Sequence, residues 1–307
     1  MKKRIQNRLA ESRFAFPVMI IYGLAVWLGA GTVAEGAYLQ LVFFVASTLM
    51  MMMLNNTNSL IRIYSRMVSC SFVAITCAAT FLFSSLESCA TGTCFILFYL
   101  SLLRSYQDKR APGIAFYSFA CLGIASLFFV QILYFVPFLW ILMASNMMAL
   151  THRMFWATVL GLVMPYWFAV GYYVVTNQFD AFIDHFAELA QFEPLLQYEA
   201  LDIHRIATFG LVVLLAVIGI IHYMRNSYLD KIRTRMIFEM FITVDILSFV
   251  FIILQPQHFD NLLPIIIVNT SCLFAHYVAL TRTWLTNVTF IVMCLATLGL
   301  TIFNLMP

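Results

Sequence analysis

Apolar residues along this chain fall into long blocks separated by short polar breaks. Eleven blocks stand out, at 14–31, 39–54, 67–84, 91–103, 112–129, 132–148, 154–175, 206–224, 236–254, 261–279 and 284–305. A helix needs about 20 apolar residues to cross the hydrocarbon of a bilayer, and somewhat fewer where the bilayer is thin. The pattern therefore predicts an all-α, polytopic transmembrane helix bundle of about eleven spans. The fourth block is short. The fifth and sixth are nearly continuous, and Gln131 marks the turn between them.

Composition makes the bilayer the only adequate solvent. Hydrophobic residues make up 63% of the 307 and charged residues 10%, more apolar side chain than a water-soluble core can cover. No large extramembrane domain, internal repeat or low-complexity linker interrupts the pattern, so residues 1–307 read as one integral membrane domain. No basic patch is interleaved with aromatics in a polar region, which excludes nucleic-acid binding.

Charge supplies the orientation. Lys2, Lys3, Arg4, Arg8 and Arg13 precede the first block; Arg104, Lys109 and Arg110 lie before the fifth, and Arg153 follows the sixth. Keeping these clusters on one side requires an even number of crossings between them, which two short helices provide. With that division only Arg205 among the 17 Lys and Arg residues falls on the far side. Acids dominate there: Glu35, Glu87, Asp180, Asp184, Glu188, Glu193, Glu199, Asp202 and Asp260. The expectation is a cytoplasmic amino terminus and an extracytoplasmic carboxy terminus, in a bacterial inner membrane.

Two acids stand inside apolar blocks, Glu239 and Asp245. A carboxylate near mid-membrane is costly without a cation, a hydrogen-bond donor or a water-filled cavity beside it. Counting rise per residue, the antiparallel block that follows puts His276 level with Glu239 and Asn269 level with Asp245. Asn269 and His276 are seven apart and share a helix face. Glu239 and Asp245 are six apart and diverge by roughly 120°, so at most one pair can meet squarely. Asp245, Asn269, Glu239 and His276 form a candidate intramembrane polar site, serving either as helix-to-helix hydrogen bonding or as a relay for protons or cations. Arg235, one turn before Glu239, offers that acid a second partner.

The longest loop, 176–204, carries its own pattern. Phe179, Phe182, Ile183, Phe186, Leu189 and Ala190 recur at helical spacing, and Asp180, Asp184 and Glu188 form a stripe four residues apart on another face. This predicts an amphipathic helix lying flat at the outer interface until Pro194. Asp180, Asp184, His185 and Glu188 form a candidate extracytoplasmic acidic site, or else a solvated face. His185 and His204 lack any recognised metal-ligand spacing, so no metal site is expected. Cys89 and Cys94, near the outer turn, are the one pair placed for a disulfide. Arg62 and Arg66 read as sharing a helix face, set either to orient the chain or to grip a phosphate. Pro137 and Pro165 fall inside blocks, and Ala25 with Gly29 offers a small-xxx-small contact face. No P-loop, G-x-G-x-x-G, nucleophile elbow or cysteine quartet is present, so no cofactor is expected.

The run "SYQDKRAPGIAFYSFACLGIASLFFVQILYFVPFLWILMAS" at 105–145 resembles the layout of C-type membrane glycosyltransferases and O-antigen-type polymerases, where a basic cytoplasmic turn precedes two short helices in tight succession. With "NNTNSLIRIYS" and the block around Pro165, residues 55–175 are similar to an uncharacterised family of polytopic bacterial inner-membrane proteins. The resemblance implies work on polyprenyl-linked glycans or envelope lipids, as a transferase or a flippase. Those glycosyltransferases carry their catalytic acids on a long first outer loop. Here that loop holds Glu35 alone, so no catalytic residue carries over, and acids would have to come from 176–204. Whether the chain is an enzyme stays open. Three readings remain: a protein handling lipid-linked glycans or lipids, with a groove open sideways to the bilayer; a proton-coupled transporter centred on Asp245; and an assembly or scaffold subunit holding a membrane partner protein.

Overall fold

The structure, a computed structural model, describes residues 4–191 and 201–306. Among them every regular element is helical. A short helix, α1 (Ile5–Ala10), precedes α2 (Ala15–Gly29) and α3 (Tyr38–Asn58). Then come α4 (Met67–Ala78), α5 (Leu86–Leu102), α6 (Pro112–Phe128) and α7 (Val136–Ser145). The second half holds α8 (His152–Val175), the short α9 (Phe179–Ala187), α10 (Ile203–Asn226), α11 (Ile232–Leu254), α12 (Phe259–Leu280) and α13 (Trp284–Leu305). Among the described residues seven helical segments, formed by α3, α5, α8 and α10–α13 with their short extensions, are long and apolar enough to cross a membrane. Four shorter apolar helices accompany them, at Ala15–Gly29, Met67–Ala78, Pro112–Phe128 and Val130–Ser145. The chain is a helical, multi-pass integral membrane protein. Exposed apolar side chains such as Trp167, Val175 and Trp284 on α8 and α13 suit lipid and would be untenable in water.

Helix α12 is the hub. In its most apolar stretch 94% of the residues are buried, against 17% in α13 and 22% in α8. Around it pack α10, α11, α4 and α5, and α3 and α6 lie beyond α5. Helix α1 caps its end: the Gln6 amide donates to the Val278 carbonyl and the Thr281 hydroxyl, both at 2.6 Å, and Asn7 donates to the Thr281 carbonyl at 2.9 Å. Gln6 and Asn7 are buried, which a polar side chain tolerates only when so bonded.

The loops gather at two ends of the bundle. At the basic end, Arg233 bridges the Asn58 side chain and the Leu103 carbonyl, both at 3.0 Å, and Arg62 reaches the Leu229 carbonyl at 3.2 Å. At the acidic end Ser88 donates to Asn261, Thr80 to the Asn304 carbonyl, and Asn304 to Ala78 and Thr208. Arg205, the cation separated from the others in the sequence, lies here. It forks onto Asp260 at 2.9 and 2.8 Å over the Phe81 ring, the bidentate geometry that most strengthens an ion pair.

Four sequence expectations are corrected. Arg62 and Arg66 share no helix face, because α3 ends at Asn58, Ser59 turns left-handed at φ 49°, and the chain runs irregularly to Met67. Pro137 begins α7, where its missing N–H costs nothing. Cys89 and Cys94 both lie on α5 as free thiols. Five residues along one helix separate them by about 140° and over a turn, beyond the span of a disulfide. Gly29 meets nothing where its Cβ would stand, so the Ala25 and Gly29 face packs no neighbour.

Close helix approach occurs elsewhere, between α6 and α8. A Cβ on Gly161 would stand 2.3 Å from the Phe116 carbonyl oxygen, and one on Gly123 would stand 2.6 Å from that of Leu162. Backbone cannot retreat as a flexible side chain can. Gly161→Ala is expected to destabilise the protein by about 1–3 kcal/mol in thermal unfolding followed in detergent micelles, whereas Gly29→Ala leaves the midpoint unchanged or raises it.

Candidate functional site

At the acidic end, α9 forms where aromatic spacing predicts it. Phe182 and Phe186 rest on the Tyr166 ring of α8 at 6.4 and 5.0 Å, and Phe182 meets Tyr173 at 5.9 Å. Asp180, Asp184 and Glu188 are exposed on the opposite side. His185 turns inward instead, its Nε2–H donating to the Ser126 carbonyl at 3.0 Å, so it docks the helix rather than joining the acids. Pro194, Glu193 and Glu199 lie outside the described residues.

The 3-10 turn after α9, Glu188–Ala190, meets the 3-10 turn that joins α6 to α7, Val130–Phe135. The Tyr134 hydroxyl donates to the Leu189 carbonyl. Tyr134 also lines a groove of about 320 Å³ between this turn, α7 and α11, with Phe135, Phe138, Leu247, Val250, Phe251, Leu254 and Gln255. Phe138, Val250 and Leu254 are each more than 40% exposed, so the groove opens on the flank of the bundle. Its lining is apolar apart from the partly exposed Tyr134 and the buried Gln255. Its volume lies at the lower end of the range that holds small ligands. Sequence reading missed it, because lipid-facing and groove-lining Leu, Val and Phe look alike in a hydropathy pattern.

Mid-bundle, Asp245 is fully buried. Its Oδ2 accepts from the Thr270 hydroxyl at 3.2 Å, and its Oδ1 has no partner among the described residues. Asn269 lies beside Thr270 on α12 but turns to α5: its Oδ1 accepts from the Tyr99 hydroxyl at 2.8 Å, and its amide donates to the Ile265 carbonyl at 3.1 Å. The expected meeting of Asp245 with Asn269 therefore becomes two adjacent bonds, one to each neighbouring helix. Together they make a buried polar plug joining α5, α11 and α12.

At the basic end, Glu239 and His276 do not meet. Glu239 is exposed and accepts from the Asn146 amide at 2.9 Å. His276 is fully buried and lies 3.0 Å from Oδ2 of Asp230, whose Oδ1 is 3.9 Å from Arg62. The folding back of the 227–231 turn over α12 was not read from the sequence. Its one signal was a lone acid, Asp230, in a loop otherwise basic at Arg225, Lys231, Arg233 and Arg235.

Among the described residues no set of three or more His, Cys, Asp or Glu side chains converges as metal ligands, and the acids of α9 fan outward along one face. Comparison with protein-family models, curated proteins and solved structures finds no match to this chain.

Removing a hydroxyl while keeping shape tests the polar plug. Thr270→Val leaves a buried carboxyl without its donor, an expected loss of about 1–3 kcal/mol in chemical unfolding in micelles. Tyr99→Phe strands Asn269 in the same way, and because the two bonds share one stretch of α12, the double variant should lose less than the sum.

Proposed function

We propose that this protein binds a membrane lipid, taking its apolar chain into the groove between α7 and α11 and holding its head group at the rim below α9. The groove carries the reading: it is apolar, open sideways, and continuous at Tyr134 with the turn that bears Glu188. A chain entering from the bilayer leaves one apolar medium for another, so affinity comes from shape and from the rim. Three exposed acids repel a bare phosphate and suit a hydroxyl-rich or amine-bearing head, such as a sugar. The proposal places the acidic end on the extracytoplasmic side of a bacterial inner membrane, following the charge asymmetry, and takes a lipid-linked glycan or envelope lipid as the substrate class. Neither this groove nor the smaller cavity of about 50 Å³ between α3, α4, α5 and α12 is lined by Asp245, which favours lipid handling over transport centred on that acid.

A lipid bearing a photoreactive group on its acyl chain, in vesicles containing the full chain, tests this. Crosslinks should concentrate on α7 and α11. Val250→Trp, which fills the groove, should lower them roughly tenfold, the factor that about 1.4 kcal/mol gives. Val163→Trp, on an exposed face of α8, should change nothing. Crosslinks spread evenly over every lipid-facing helix would overturn the proposal and leave the scaffold reading.

A further inference from the structure

Two imidazoles meet at the basic end, and their neighbours fix which nitrogen of each carries the proton. Asn226 donates through Nδ2 to the His222 carbonyl at 2.9 Å, which orients its amide. The same Nδ2 lies 3.1 Å from His222 Nδ1, so Nδ1 must accept and the neutral ring carries its hydrogen on Nε2. His276 faces a carboxylate at 3.0 Å through Nε2. That nitrogen donates to Asp230, and Nδ1 is left as a bare acceptor.

Neither His222 Nε2 nor His276 Nδ1 has a partner among the described residues. His276 is fully buried, and the two ring centroids are 5.5 Å apart. An unmatched donor and an unmatched acceptor thus stand on adjacent rings between α10 and α12. Leaving either group unbonded away from water is costly, and a single O–H group satisfies both: it accepts from one ring and donates to the other.

We propose that His222 and His276 hold one water molecule between them, and that this water, His276 and Asp230 form a proton-transfer site at the basic end of the bundle. A proton reaching the water as hydronium passes to Nδ1 of His276, while the hydrogen on Nε2 passes to Oδ2 of Asp230. One N–H bond forms, one breaks, an O–H bond forms on the acid, the water is restored, and nothing is oxidised or reduced. Arg62, whose side chain is 37% exposed, stands 3.9 Å from the other oxygen of Asp230 and marks the way to solvent. The remaining titratable groups against the pair are Tyr223 of α10 and Tyr277 of α12, with Arg235 and Glu239 of α11 beyond Tyr223. Phe238 closes the site on the α11 side at 4.8 Å from His276.

The full chain with 15N-labelled histidine, in lipid bilayers, tests this by solid-state nuclear magnetic resonance. Both rings should report the neutral Nε2–H form, with magnetisation transfer from water to His222 Nε2 and His276 Nδ1. Exchange of the His276 Nε2 hydrogen into deuterated buffer should slow roughly tenfold in His222→Phe, equivalent to about 1.4 kcal/mol of barrier. Asn226→Ala keeps both rings, frees the His222 tautomer and should slow exchange without unfolding the protein. Absence of water contact at both nitrogens would overturn the proposal. So would exchange in a folded His222→Phe or Asn226→Ala protein at the parent rate.

Discussion

With α12 enclosed along almost its whole length, its polar side chains turn to neighbouring elements or to its own backbone, because hydrocarbon and packed apolar side chains offer no hydrogen bonds. Asn269 is answered by Tyr99 of α5, Thr270 by Asp245 of α11, His276 by Asp230 in the turn between α10 and α11, and Thr281 by Gln6 of α1. These bonds are distributed along the helix and around it. Apolar packing alone would let neighbouring helices slide by a turn at little cost. A misplaced hydrogen bond in the bundle leaves a buried group unsatisfied, so the polar contacts set register while the aliphatic and aromatic contacts fill space.

Much of this could be read from residue order, and what could not has a definable cause. The all-helical membrane character follows from the apolar blocks, and the placing of Gln131 in the turn between α6 and α7 follows from charge. Depth was also legible: Asp245 and the Asn269–Thr270 pair do share a level. Rotation was not. About 100° separates successive side chains on a helix, so Asn269 and Thr270 look to different neighbours, and hydropathy is blind to which of them faces Asp245. The same blindness picked Ala25 and Gly29 as a contact face where Gly123 and Gly161 make the close approach. A loop that folds back, as at Asp230, leaves even less trace, since its partner His276 stands 46 residues away.

The two ends of the bundle differ in chemistry as well as charge. At the acidic end, polar groups stand at the margin of an apolar groove, an arrangement suited to an amphiphile whose parts lie at different depths. At the basic end the polar groups are sunk among aromatic rings, Tyr223, Phe238 and Tyr277. The Asp245 plug lies between the two ends, beside the packed rings of Tyr99 and Phe241.

The clasp of α1 on α12 carries a consequence for biogenesis. Gln6 and Val278 are 272 positions apart, so the anchoring amide leaves the ribosome long before its acceptor exists. The docking is then a late closing event in assembly, one that joins α1 to the most deeply enclosed of the described helices.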